Sequence, residues 1–333
     1  MPRALASVQR IRAIAPIPDA DAIEVATVRG WKVVVKKNEF AVGDLAVYVE
    51  IDAFLPEEPA YEFLRKSSFK TLPSGRGGFR LRTAKLRGQV SQGLLLPLDV
   101  LPAPGHAHEG DDVTEALGIV LYEPPMPVSD DAKGPFPSFV PKTDEERIQN
   151  LPDLFEAARP TESLYVTEKL DGSSFTAYLR DGAFGVCSRN LELLDTPTSA
   201  FWKAARSLGL EDKLRATGRN LAVQGELVGP GIQSNPYKMD DASVYFFSAV
   251  DLDTYAYLPF DALQALLDAL ALPMVPLLDA AFVLPETMEA MLAYADGPSA
   301  LRGETAREGV VVRSYDRSVS FKAISNRFLL KQG

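Results

Sequence analysis

Cysteine and histidine are nearly missing from this 333-residue chain, which has one of the first, Cys187, and two of the second, His106 and His108. One cysteine excludes an internal disulfide and fits a reducing compartment. The three residues together are too few for a zinc site of the usual kind. Both histidines sit in a Pro/Gly-rich loop, so a Ser-His-Asp catalytic set is not expected either. No apolar run approaches the roughly 18 residues that a membrane helix needs. The opening Met1-Pro2-Arg3 has no apolar stretch of a secretory leader. The expectation is a cytoplasmic protein without membrane contact, acting as a monomer.

Positive charge is in deficit overall but not everywhere. The net charge is −10, from 35 Lys+Arg and 45 Asp+Glu. Residues 1–120 carry 15 of each sign, so the whole imbalance falls in residues 121–333. Carboxylates are absent from residues 63–98, which hold eight basic side chains: Arg65, Lys66, Lys70, Arg76, Arg80, Arg82, Lys85 and Arg87. Phe63, Phe69 and Phe79 are interleaved with them. A solvated loop face accounts for such a run, and so does a phosphate-backbone partner; its length favours the second.

With 46% hydrophobic and 24% charged residues the chain is globular, and its length allows two domains. Residues 1–120 read as short strands (Val8–Ile14, Ile23–Val28, Trp31–Val35, Ala46–Ile51, Gly93–Leu96) parted by turn signals such as Pro18-Asp19 and Val42-Gly43-Asp44. That spacing predicts a small barrel. Eight prolines from Pro124 to Pro160 break any regular pattern, so residues 121–149 read as a linker. Within it, Asp144 fits the N-cap of a short helix with Glu145 and Glu146 in its first turn. Lys142 or Arg147 is placed to reach a phosphate instead. From residue 150 to 333, helical periodicity over Phe201–Leu208, Phe260–Leu270 and Met288–Ala295 mixes with strand-like runs at Leu221–Gly225, Val244–Val250, Gly309–Val312 and Ser318–Ala323. The expected class is α+β, with a β-barrel first and a domain of antiparallel sheets flanked by helices second.

The informative stretch is Val166-Thr167-Glu168-Lys169-Leu170-Asp171-Gly172. Apolar strand-like residues lead to one lysine and an Asp-Gly turn, and Gly172 permits close backbone approach. Phe175–Leu179 and Asp181-Gly182 then read as a hairpin. A lysine at a rigid strand end is held as an attacking amine must be to meet a phosphorus atom in line. A single lysine before a turn is commonly a solvated charge. Further pieces follow in order: Ser188-Arg189-Asn190, Gly225-Glu226-Leu227, the run Val244–Val250 containing Phe247, Arg307-Glu308-Gly309, and Ser320-Phe321-Lys322-Ala323-Ile324-Ser325.

Two resemblances rest on these residues. Pro18-Asp19-Ala20-Asp21-Ala22-Ile23 and Ala84-Lys85-Leu86-Arg87-Gly88 through Gly93-Leu94 resemble blocks of the tRNA-binding OB domains attached to synthetases, which implies an OB barrel. The ordered set from Lys169 to Lys322 resembles the covalent nucleotidyltransferases. With the OB-like segment in front and Lys142–Asn150 before the lysine, nearly the whole chain is similar to the Deinococcus-type ATP-dependent RNA ligases.

The resemblance implies an enzyme that uses ATP and Mg²⁺ or Mn²⁺ to seal RNA 3′-OH and 5′-phosphate ends, nicked duplexes among them, in RNA repair. It implies Lys169 as the nucleophile that carries AMP, Glu308 as metal holder, and Glu226 on the ribose or a metal-bound water. Phe247 is to stack on adenine, with the Glu168 backbone near its edge. Lys322 is to contact the α-phosphate, and Arg189 a phosphate of ATP or of the RNA end. Asp171 is to help place the lysine or a metal-bound water. Relatives often have Lys-x-Lys in the last motif; Lys322-Ala323-Ile324 supplies the first only, leaving Lys331, Arg313 or nothing for the second.

Two rivals make different demands. DNA ligases and RNA guanylyltransferases usually place an OB domain after the nucleotidyl domain, whereas this chain runs 11 residues beyond Lys322 (333 − 322). A non-catalytic OB-fold RNA-binding protein has no need of Lys169, Glu226, Glu308 and Lys322 together. Neutralising Arg80, Arg82, Lys85 and Arg87 is expected to impair sealing of RNA ends while sparing lysine adenylation; equal loss in both assays contradicts that assignment.

Overall fold

The computed structural model describes residues 4–72, 74–122, 131–156 and 161–331. They fall into two units, Met1–Pro127 with Gln149–Pro152 and Leu329–Gly333, and Val128–Ile148 with Asp153–Phe328.

In the first unit, β-branched residues alternate along strands of a five-stranded antiparallel sheet. Its order is Leu94–Leu96, Leu45–Val49, Ala6–Pro16, Ile23–Val28, Trp31–Lys36. The 11-residue strand Ala6–Pro16 pairs with Leu45–Val49 through its first half and with Ile23–Val28 through its second. A bulge between Ile11 and Ala13 separates the halves. One bent strand shared in this way curls a sheet toward a barrel, the OB-type arrangement expected. A second sheet of short strands (Val120–Leu121, Ala53–Pro56, Gly77–Arg80, Phe69–Thr71) was not legible. These runs are too short and glycine-rich to show a period.

The segment expected as a linker is divided. Residues 123–130 lie outside the described residues; 131–148 go with the second unit and 149–152 with the first. The first unit claims its share through specific bonds. Trp31 Nε1–H donates to Asn150 Oδ1 at 2.6 Å, and Gly30 N–H to the Gln149 carbonyl at 3.0 Å. Asp144 caps no helix. Residues 141–146 have no helical turn; Lys322 N–H donates to the Glu146 carbonyl at 2.8 Å and Arg147 bridges Lys322, so the segment lies along a strand edge instead.

The second unit is built on two antiparallel sheets. The larger runs Ala132–Pro135, Leu191–Leu193, Ala183–Cys187, Ser173–Arg180, Leu221–Val228, Ser243–Asp251, Ala256–Tyr257. Asp181 and Gly182, at φ 50° and 78°, make the tight turn expected between two of these strands. One face of this sheet, with Phe175, Val223, Leu227 and Phe246, packs on the helices Ala200–Ser207, Leu210–Ala216 and Phe260–Ala269. Alternation puts Tyr178, Thr176 and Ser174 on the other face, opposite Ala222, Gln224 and Glu226. Tyr178 and Ala222 join an apolar cluster with Val140, Cys187 and Val250, so this face grades from apolar at one end to polar at the Glu226 end. The smaller sheet runs Leu277–Phe282, Leu164–Lys169, Gly309–Ser314, Ser320–Ile324.

Gly309 is required where the last two of these strands meet, because a Cβ there falls 2.2 Å from the Ala323 carbonyl oxygen. Gly309→Ala is expected to destabilise the unit by about 1–3 kcal/mol through overpacking. The check is a lower denaturation midpoint at unchanged slope; an unmoved midpoint contradicts it.

Candidate active site

The strand Leu164–Lys169 pairs with Gly309–Ser314 in unbroken register, from Leu164 opposite Ser314 to Lys169 opposite Gly309. Side chains alternate along it. Glu168 is buried on one face, its carboxylate accepting from Ala300 N–H at 2.7 Å. Thr167 and Lys169 take the other face. Thr167 lies opposite Val311, which lies opposite Lys322, so both candidate lysines share that face.

Glu308 immediately precedes Gly309 and so meets the lysine across the strand pair. Lys169 Nζ lies 2.8 Å from each oxygen of the Glu308 carboxylate. Glu226 comes from the larger sheet, opposite Ser174, and Asp171 from the turn between the sheets. Burial pushes the Lys169 ammonium down, but the carboxylates of Glu308, Glu226 and Asp171 outweigh it and hold the amine above its ordinary range. The acids respond in turn. Burial pushes Glu226 up to about 8; Lys169 opposes this, while Glu308 and Asp171 add to it. Burial, reinforced by Glu308 and opposed by Lys169, raises Asp171 to about 6.

Phe247 owes its position to a register shift. Gln224 pairs with Ser248 and Gly225 with Phe246, which leaves Phe247 as the extra residue of a bulge. Its ring packs against the cluster of Leu170, Val228, Tyr237 and Val275, with the Arg313 guanidinium 5.4 Å from its centroid. Along the same face lies a cavity of about 150 Å³ lined by Lys142, Glu145, Gln224, Phe247, Arg313 and Arg317 among others. Lys169 is not among the residues of its wall.

Comparison with known proteins fits this geometry. A family model described as RNA ligase matches residues 162–331, and one described as an OB-fold domain matches residues 5–98. No curated protein matches. Among solved structures, the chain is similar to a Naegleria gruberi RNA ligase with PPi, at 44% identity over 99% of this chain and 98% of that one, TM-score 0.91. A lysine-to-alanine variant of that ligase with ATP and Mn has 44% identity, 98% coverage of each chain and TM-score 0.92. A glutamate-to-alanine variant with AMP and Mn has 44% identity, 99% coverage of each and TM-score 0.92.

This chain belongs to the RNA ligase family.

The other residues singled out in this RNA ligase are distributed as follows. Arg189 is exposed and donates to Asp144 at 2.8 Å. Arg147 is buried beside Lys322, and Lys331 is exposed at the end of the short helix Asn326–Lys331. Glu168 N–H is taken by the Pro276 carbonyl at 2.9 Å. In the first unit, Lys85 and Arg87 are exposed on the hairpin formed by Ala84–Leu86 and Gln89–Ser91. Arg82 is half-buried. Arg80 is engaged internally, 3.7 Å from Asp52 and 4.3 Å from the Tyr122 ring centroid.

Sequence reasoning passed over Glu145. Its carboxylate accepts from Arg313 Nη2 at 2.7 Å and from Ser320 Oγ, fastening residues 142–147 onto the smaller sheet. Burial raises its pKa, but Arg313 first and then Ser320 bring it below the ordinary carboxylate range. The missed signal was its alternation with Arg147 and Thr143, which suits a strand edge better than a helix.

The donor set fits a hydrated divalent cation. Asp171, Glu226 and Glu308 act on a single ammonium, and two of them are driven toward protonation, by burial first and then by the neighbouring carboxylates. Among the described residues no three acidic, Cys or His side chains cluster closely enough to ligate a metal directly; a hard divalent ion that keeps several waters needs fewer direct protein ligands.

The raised acids predict a pH dependence. A carboxyl whose folded pKa lies above its unfolded one stabilises the fold fully below the unfolded value, and loses that contribution as pH rises through the folded value. Metal-free protein should therefore lose stability from Asp171 up to about pH 6 and from Glu226 up to about pH 8. Glu226→Gln should flatten the upper part of that decline. Identical pH–stability profiles for the two proteins contradict the assignment.

Proposed function

We propose that this chain is an ATP-dependent RNA ligase in which Lys169 is the nucleophile. The observation that carries this is one ammonium held by Glu308, with Glu226 and Asp171 close enough to shift it, on a strand face shared with Lys322. Lys169 Nζ, once deprotonated, attacks the α-phosphorus of ATP. The N–P bond forms, the bond to the β-phosphate bridge breaks, and pyrophosphate leaves. An RNA 5′-phosphate oxygen then displaces the lysine, whose nitrogen regains a proton. A 3′-OH attacks that 5′-phosphorus and AMP departs.

A free lysine of pKa about 10.4 is only about 0.04% neutral at pH 7. Here the resting state is more protected still, because the carboxylates hold the proton. Glu308, Glu226 and Asp171 would hold a divalent ion, Mn²⁺ or Mg²⁺, and it would supply charge that offsets these acids and the α-phosphate oxygens. Lys322 offsets the same phosphate charge from the shared face. Phe247 offers an aromatic face to the base, and Glu226 reaches the ribose or a metal-bound water. Arg189 exchanges Asp144 for a phosphate of ATP or of the RNA end. Lys331 or Arg313 takes the second phosphate contact of the last motif, and Arg147, beside Lys322, reaches a further phosphate oxygen.

The first unit binds RNA through Lys85 and Arg87 of its hairpin, with Arg82 and Arg80 behind them. Its preferred substrate is a nick in a duplex, met in RNA repair. We place the protein in the cytoplasm as a monomer; no helix among the described residues is long and apolar enough to cross a membrane, and Cys187 is a free, buried thiol.

Incubation with [α-³²P]ATP and Mn²⁺ is expected to label the wild type and not Lys169→Ala, with ATP preferred over GTP. Labelling that survives Lys169→Ala contradicts the assignment.

A further inference from the structure

The turn Leu170–Gly172 leaves the smaller sheet at Lys169 and enters the larger one at Ser173. Between those strands its backbone is gripped from outside. Asp171 N–H donates to Tyr237 Oη at 2.7 Å, and Gln233 Nε2 donates to the Gly172 carbonyl at 3.0 Å. Both side chains come from the loop after the strand Leu221–Val228. We propose that Tyr237 and Gln233 are positioning residues for lysine adenylation, pinning the turn that aims Lys169 at the α-phosphorus.

The loop that carries these two side chains turns through three left-handed positions. Gln233, Asn235 and Lys238 have φ of 47°, 48° and 48°, in the left-handed region that non-glycine residues avoid. Such conformations persist where surrounding contacts hold them. The contacts are present. Asn235 Oδ1 accepts from Met239 N–H at 3.1 Å, and its Nδ2 donates to the Met239 carbonyl at 3.0 Å. Thr305 Oγ1–H donates to the Pro236 carbonyl at 2.8 Å. Tyr237 itself is buried against Leu170, Val228 and Val275. Burial raises the phenol pKa, so its oxygen accepts from Asp171 N–H as a neutral hydroxyl.

The turn has little slack for another solution. A Cβ at Gly172 falls 2.4 Å from the Leu227 carbonyl oxygen, so the turn is pressed against the strand that carries Glu226. A lysine that must approach phosphorus in line loses rate steeply when its base shifts by an ångström. Holding the amide on one side of the turn and the carbonyl on the other removes that freedom before ATP arrives.

This inference rests on the ligase reading above, and the experiment separates the two. Single-turnover adenylation with [α-³²P]ATP and Mn²⁺ is measured for wild type, Tyr237→Phe and Gln233→Ala, beside sealing of a pre-adenylated RNA end, which bypasses Lys169. Tyr237→Phe should lower the adenylation rate at saturating ATP by about tenfold or more, with KM for ATP and pre-adenylated sealing each within about threefold of wild type. Gln233→Ala should lower the same rate by about threefold or more. Adenylation at the wild-type rate in both variants overturns the inference, as does a parallel fall in pre-adenylated sealing, which marks a general structural role. If Tyr237→Phe does not fold, Gln233→Ala decides, because that side chain is exposed. A wild type that takes no label overturns the ligase reading itself.

Discussion

An ammonium and a carboxylate 2.8 Å apart, Lys169 and Glu308, set the terms for the rest of the second unit. Burial alone pushes the lysine toward the neutral amine that nucleophilic chemistry needs. Glu308, Glu226 and Asp171 together do more than cancel that effect. The resting site therefore holds Lys169, the nucleophile we propose, as a protonated group beside Glu308. On the proposed reading, reactivity depends on charge brought from outside, by a cation and by the nucleotide that delivers phosphorus. A half-buried pair of this kind adds little net stability, because desolvation offsets much of its attraction.

Each part of the fold serves that arrangement by an ordinary rule of β structure. Alternation along Leu164–Lys169 puts Glu168 into the core and Lys169 on the open face. Strand pairing places Glu308 beside the lysine, and the next strand puts Lys322 on the same face. A bulge turns Phe247 toward that side while Phe246 stays in the core. The turn at Asp171–Gly172 joins the two sheets and lets Glu226 act on the same amine. Glu145, paired with Arg313, ties residues 142–147 along the edge.

Much of this was legible because its signals are local. The Asp-Gly turn after Lys169, the Asp181-Gly182 hairpin and the strand runs Leu221–Gly225 and Val244–Val250, which lie within the longer strands Leu221–Val228 and Ser243–Asp251, follow from turn chemistry and period. The helix Met288–Ala295 was read to the residue. What stayed hidden depends on tertiary partners. Asp144 and Glu145 carry the composition of a helix start, but Arg189 and Arg313 recruit them as ion-pair partners and Lys322 takes the Glu146 carbonyl. Residues 149–152 belong with the first unit because Trp31 and Gly30 bond to them, which no linear pattern reveals. The grip of Tyr237 and Gln233 on a turn more than 60 residues away is invisible for the same reason.

Direct observation of the Lys169 side chain tests the central claim most closely. In protein with isotope-labelled lysine, NMR titration of the Lys169 ε-CH₂ and Nζ without divalent cation should give a midpoint above the ordinary value of about 10.4. Glu308→Gln should bring that midpoint down. A wild-type amine that titrates near neutral pH, or a midpoint unmoved by Glu308→Gln, contradicts the account.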